Sequence, residues 1–442
     1  MATRNSEKSA KAGSASKVEL GVCLGQAGAH VGRLIYVNDG PREFSQFAYQ
    51  EEWLANPVAF DISPDLSRVP GYQLRKAPSK DDSCFFLALA DTEPDSWGRR
   101  VIARAHAKER KLNPALRALT EVDYLCAVDD FSRIGALRLR DAAQTYLRNA
   151  ETGKRATPPL LDLEKMMASS RAVELGTETA EDLKYLQGKG TSLGGMRPKC
   201  TVLDEDGTLA LGKFPSVMDE RSVTRGEVLA LRLAKLAGID TAHARIEMVH
   251  GAPAAIIRRF DRTPNQGRIP YMSGATLLQS SRNEEHAYTQ VVDAMRSKCI
   301  DFSASARQLW RRLVFNFLIT NVDDHLQNMG FLYVARNQWQ LSPSFDLNPF
   351  PDKDRESKTW LSEDTGPITS LGQLLGQAAR FQLKPHEAIA VLAEVVEAVK
   401  PWRDVALTAG VGLPEAELED FAPAFEHAGL DEAFALLAKP NR

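Results

Sequence analysis

The chain has 442 residues, of which 43% are hydrophobic and 26% charged, with a formal net charge of −3. That length holds two or three cores, since single cores stop growing near ~250–300 residues, and no apolar run approaches the ~20 residues that cross a bilayer, which excludes a membrane-spanning helix. The slightly acidic balance gives no global drive toward nucleic acid, whose non-specific binding needs clustered Lys and Arg.

Residues 1–17 are rich in Ser, Ala and Lys and lack the apolar stretch of a secretory signal, so a disordered lead is expected. Val18 to Cys23 and Val31 to Val37 flank a Gly-rich turn and predict a hairpin. Helical patterning runs from Ser96 to Lys111, and Thr152 to Pro159 reads as a polar loop, placing a domain boundary between about 115 and 160. Lys199 to Phe214 predicts two strands joined at Asp204 to Gly207. Thr224 and Glu227 have capping-box spacing before Leu229, Leu233 and Leu236, with Gly238 at the helix end. Ala244 to Arg259 predicts another hairpin, turning at His250 and Gly251. A helix is expected over Arg307 to Thr320, then a polar loop, a short ribbon through Asn337, and a helix-rich carboxyl-terminal region. Five cysteines, Cys23, Cys84, Cys126, Cys200 and Cys299, stand at wide spacings without a CxxC pair, which fits a reducing cytoplasm.

The chemistry concentrates after the predicted helix, in NVDDHLQNMGF. Two carboxylates, an imidazole and an amide occupy Asp323 to Asn328, a density costly to bury without purpose. Protein kinases place a catalytic Asp and a metal-binding Asn five residues apart and return through a β ribbon to a second metal-binding Asp. Asp323 and Asn328 have that separation, and Phe345-Asp346 stands where the second aspartate belongs. Phosphoryl transfer needs an acceptor for the hydroxyl proton and hard oxygens for magnesium, which Asp323 and the pair Asn328 and Asp346 would supply. The alternative is a loop of Asx turns and helix caps. Upstream, Gly188 to Lys199 is a Gly-rich segment whose amides could cradle phosphate, or a plain surface loop. Lys213 closes a strand and Glu227 lies on the next helix, as in the kinase lysine–glutamate pair; Glu227 can equally be a capping residue.

TSLGGMRPK, LGKFPS, RRFDR, NVDDHLQN and LSPSFDLNP, all between 191 and 349, resemble the HipA-like Ser/Thr protein kinase toxins of bacterial toxin–antitoxin modules. VGRL at 31–34, FAYQEEWL at 47–54 and DSWGRR at 95–100 extend the likeness toward the amino terminus. The resemblance implies an α+β, protein-kinase-like bilobal fold with a β-containing N-lobe over 119–260, a helical C-lobe over 261–442, and an amino-terminal β-containing subdomain over 18–118. It implies Asp323 as the catalytic base, with ATP and Mg2+ as cofactors. Gly194, Gly195, Met196, Arg197, Pro198 and Lys199 would contact nucleotide phosphates with Lys213 and Glu227. Arg258, Arg259 and Phe260 would line the adenine hinge, and His325, Asn328, Phe345 and Asp346 would complete the ATP site. Ser192 matches the autophosphorylated serine, with Thr191 beside it offering a second hydroxyl. The implied substrate is a protein serine, characteristically on an aminoacyl-tRNA synthetase. The implied partner is a helix-turn-helix antitoxin, through which alone DNA would be met.

Asp324 adds a charge beside the metal site, where a basic neighbour is expected to hold it. Trp97 to Arg100 reads either as a partner surface or as a packed Trp with solvated arginines. Two other functions compete with the protein kinase: a small-molecule phosphotransferase of aminoglycoside-kinase type, and a catalytically silent antitoxin-binding co-repressor.

Overall fold

The structure, a computed structural model, describes residues 16–40, 42–148, 162–189, 195–281, 284–352 and 355–438. Residues 1–15 of the amino-terminal lead, the 152–159 loop, Thr191, Ser192 and Gly194 lie outside them. Among the described residues no helix is long and apolar enough to cross a membrane.

The expected first hairpin forms from β1, Ser16–Leu24, and β2, Ala29–Asp39, turning through Gly25 and Gly28, both at positive φ. Ser16 and Lys17, assigned to the lead, are thus already strand. With β3, Arg42–Tyr49, β4, Gln73–Lys76, and β5, Leu137–Arg140, they build an antiparallel sheet in the order β4-β3-β2-β1-β5. The sheet therefore closes with residues beyond the boundary drawn at 118. The helix Ser96–Leu112 follows β4 in the chain, and its Trp97 is buried with Val101, Ala105, Val173, Leu183 and Leu186. Trp97 is a packed residue.

The N-lobe sheet has the order β6-β7-β9-β8, from Lys199–Leu203, Leu209–Lys213, Ala252–Arg258 and Ala244–Val249. β7 is central and wholly buried. The helix Val223–Leu236 begins one residue before Thr224, and the capping box expected there does not form. Thr224 Oγ1 instead donates to the Pro253 carbonyl at 2.9 Å, and Glu227 turns inward to Lys213. Gly238, at positive φ, ends the helix as expected.

A buried arginine cluster joins the subdomain to the N-lobe. Arg259 donates to Asp261 at 2.7 Å and also to the carbonyls of Ser132 and Arg133, and Arg262 reaches Asp261 at 2.7 Å. Burial alone would raise the Asp261 carboxyl, but the Arg259 and Arg262 charges overcome it and hold it well below the usual range.

The C-lobe is organised on the helix Phe302–Leu318, capped by Asp301 and buried along Ala306, Leu309, Trp310, Leu313 and Leu318. It starts five residues before the expected Arg307. Its end is set by Thr320, at φ 52°, whose hydroxyl donates to the Ala424 carbonyl at 2.9 Å. From that anchored end the polar loop leaves, and the sheet of β10, Tyr271–Ser273, β11, Gly330–Ala335, and β12, Gln338–Leu341, returns the chain to Asp346.

Asp324 locks the loop. It is buried and accepts from the Tyr288 hydroxyl at 2.8 Å and the Lys358 amide at 2.7 Å, while its carbonyl accepts from Thr359 Oγ1 at 2.8 Å. Its holders are thus a phenol and backbone, not the basic side chain expected. Burial pushes the Asp324 carboxyl up to about 7 despite these donors.

Two consequences are measurable. Asp261→Ala strands Arg259 and Arg262 and should cost about 3–5 kcal/mol in urea unfolding; a loss below about 1 kcal/mol would refute the clamp. Asp324 has a folded pKa above its unfolded one, so the stability it lends is full below about pH 4 and is lost as pH rises through about 7. Asp324→Asn should remove a slope of up to about 1.4 kcal/mol per pH unit in that window, and an unaltered slope would exclude Asp324 as its source.

Candidate active site

Lys213 ends the central strand β7, so its backbone is fixed on both sides by the sheet. Its ammonium lies 2.6 Å from Glu227 Oε1 and 2.6 Å from Asp346 Oδ1. One cation thereby ties the strand, the helix 223–236 and the segment after β12. Burial would lower the lysine, but the two carboxylates hold it above the usual range. Burial would likewise raise Asp346, yet Lys213 and Lys199 bring it down to about 2, so Asp346 is ionised. Glu227, wholly enclosed, is pushed upward by burial against the pull of Lys213. Asp346 has φ 55°, and Asn348 Nδ2 donates to its Oδ1 at 3.3 Å.

Asn328 donates its Nδ2 to the Asp323 carbonyl at 2.9 Å, which leaves its side-chain oxygen for another ligand. Asn328, Asp346 and His325 line one small cavity of about 40 Å³. An ionised carboxylate and an amide oxygen are the hard donors that magnesium takes, so this pair fits such an ion. Burial depresses His325 more than Asp323 and Asp346 raise it, so the ring is neutral near pH 7. Its Nδ1 is buried without a hydrogen-bond partner among the described residues. Asp323 is partly exposed and ion-paired with Lys358.

A cavity of about 230 Å³ runs from Lys213 and Asp346 to Leu211, Ile257, Arg258, Arg259, Phe260, Tyr271 and Phe345. Apolar walls, with Phe260 and Phe345 at 5.4 Å between ring centroids, suit a planar base. Its far wall comes from the amino-terminal subdomain, including Leu87, Asp91 and Pro94. Asp91 accepts from both the amide and hydroxyl of Ser273 at 2.8 Å, fixing that wall. An open cleft of about 840 Å³ adjoins it through Lys213 and Asp346 and holds Asp323, His325, Lys358 and Gly195 to Arg197.

Of the residues expected to bind ATP, Gly195, Met196, Arg197, Lys199, Lys213, Glu227, Arg258, Arg259, Phe260, His325, Phe345 and Asp346 line one or both of these spaces, Asn328 lines only the small cavity, and Pro198 lines neither. Lys199 is not a loose phosphate ligand: its side chain is 2% exposed and pairs with Asp95 at 3.0 Å. Asp95 caps the helix 96–112, whose Trp97 amide donates to the Gly195 carbonyl at 3.3 Å. Gly195 is at φ 83°, and a Cβ there would stand 3.2 Å from Lys199 Nζ. Arg197 pairs with Asp219 at 2.6 Å, Met196 is exposed, and the Pro198 carbonyl accepts from Phe214. The Arg259 guanidinium is spent on Asp261. Arg258 faces outward toward Asp206 at 3.6 Å. Sequence reasoning missed Asp91, Asp95, Tyr288, Asn348 and Lys358. Asp95 carried a signal, an N-cap aspartate before a helical pattern, whereas Lys358 in RESKTW carried none.

Residues 191–402 match the family model of the HipA-like C-terminal domain. A Haemophilus influenzae protein named "Putative kinase" is 26% identical over 188 residues, 37% of this chain and 55% of that protein. A Sinorhizobium fredii protein named "Putative kinase Y4dM" is 29% identical over 204 residues, 42% of this chain and 49% of that protein. The chain therefore spans about half the length of these curated relatives. Among solved structures it is similar to a chain of the Shewanella oneidensis toxin–antitoxin complex of HipA, HipB and operator DNA, with a TM-score of 0.62 and 17% identity, covering 94% of this chain and 99% of that one. Residues 191–402 are thus similar to the HipA-like C-terminal domain, within a chain that takes a kinase-like bilobal α+β fold.

Proposed function

We propose that the chain is an ATP-dependent Ser/Thr protein kinase of a toxin–antitoxin module. The observation that carries this reading is the Lys213 bridge, which sets Glu227 and Asp346 about one cation at the junction of a base-sized cavity and an open cleft. Lys213 would hold nucleotide phosphates, and Asn328 and Asp346 would hold magnesium. When bound, the metal neutralises charge on the phosphate oxygens. Asp323 would take the proton of the acceptor hydroxyl, with neutral His325 lining the phosphate path.

The cleft's breadth supports a protein acceptor over a small alcohol, because the Asp323 side lies open to solvent. An aminoacyl-tRNA synthetase is the first target to try, and Ser192 the first autophosphorylation site. The Shewanella oneidensis protein is described with HipB and operator DNA. For this chain a helix-turn-helix antitoxin is the corresponding partner, with DNA met through it.

Incubation of lysate with labelled ATP and magnesium tests the reading. Asp323→Ala should lower protein labelling about a hundred- to ten-thousandfold while nucleotide still binds. Ser192→Ala should lose self-labelling and keep transfer to the target. Label on a small alcohol alone would favour the small-molecule phosphotransferase, and no label with retained antitoxin binding would favour the silent co-repressor.

A further inference from the structure

Among the described residues of the open cleft, the Lys and Arg side chains are Arg99, Arg197, Lys199, Lys213 and Lys358. Arg99 is held by Glu121 at 2.6 Å and Glu93 at 3.2 Å, Arg197 by Asp219, and Lys199 by Asp95. Lys213 is buried between Glu227 and Asp346. Lys358 differs from all four. Its side chain is 54% exposed, and its carboxylate partner is Asp323, the group assigned to the acceptor's proton.

Its backbone, by contrast, is fixed. The Lys358 amide donates to Asp324 Oδ1 at 2.7 Å, and Thr359 Oγ1 donates to the Asp324 carbonyl at 2.8 Å. The buried residue next to Asp323 therefore anchors the segment that carries the lysine. A tethered base with a four-carbon flexible stem lets the ammonium exchange partners without moving the chain. A terminal phosphate, with more negative charge than one carboxylate, draws that cation more strongly at equal distance.

Resting on the kinase reading above, we propose that Lys358 is a catalytic residue: its ammonium, ion-paired with Asp323 here, moves to the γ-phosphate of bound ATP and stabilises the transferring phosphoryl group. The exchange also leaves the Asp323 carboxylate for the acceptor. In the step, the bond between the γ-phosphorus and the β,γ-bridging oxygen breaks and that oxygen leaves with ADP. The acceptor oxygen bonds to phosphorus, its proton passes to Asp323, and Lys358 keeps all of its protons throughout.

Calorimetry with magnesium and either ADP or a non-hydrolysable ATP analogue, alongside transfer rates, tests this in wild type, Lys358→Met and Lys358→Arg. In Lys358→Met, affinity for the analogue should fall about tenfold and affinity for ADP less than about twofold. Transfer should fall about a hundredfold, and Lys358→Arg should restore most of both losses. Unfolding should stay unchanged, since the side chain is half exposed. Equal weakening of both nucleotides, or of neither, overturns the assignment. If wild type prefers the analogue to ADP but labels no protein, the kinase reading fails, while the analogue-to-ADP ratio in Lys358→Met still decides the role of Lys358. Absence of nucleotide binding in wild type would overturn both.

Discussion

One buried ammonium holds the site together. Lys213 faces two carboxylates that come from different parts of the chain, Glu227 from the N-lobe helix and Asp346 from the segment after the C-lobe ribbon. Neither carboxylate could be enclosed so closely beside the other without a cation between them, because like charges at that depth raise each other's cost. The bridge therefore does more than neutralise two carboxylates. It sets the distance between the lobes and keeps Asp346 ionised, the state in which a carboxylate takes a metal.

Around that bridge the amino-terminal subdomain behaves as a third wall. Asp91 holds Ser273, Asp95 holds Lys199, and the carbonyls of Ser132 and Arg133 hold Arg259. Each contact spends a polar group on geometry. Lys199 and Arg259, which a two-lobe reading would hand to the nucleotide, are committed to the subdomain instead.

The fold was legible where it depends on local pattern. The hairpins of the N-terminal sheet and N-lobe, the helix ending near Thr320 and the ribbon through Asn337 all follow from alternation, turn residues and helical spacing. The spacing of Asp323 and Asn328 was legible too, because one short loop carries both, and the return to Asp346 follows from the short ribbon of β11 and β12. What escaped is what long-range contact decides. Glu227 had the spacing of a capping residue, and only the position of β7 turns it toward Lys213. Asp324 looked like a charge in need of a base, yet Tyr288, 36 residues away, and the amide of Lys358 satisfy it. Strand β5 joins the first sheet from beyond 118, since edge pairing leaves no mark on so short a segment.

The pairing of Asp95 with Lys199 has a consequence for modularity. A core whose buried lysine finds its counter-charge within the core can be moved between proteins as a self-sufficient module. Here the lysine's counter-charge and the hydrogen bond to Gly195 both come from the start of the helix 96–112. The two parts of the chain are thus physically interdependent: replacing the first subdomain would strand the buried Lys199 unless the replacement brought an acid to the same place.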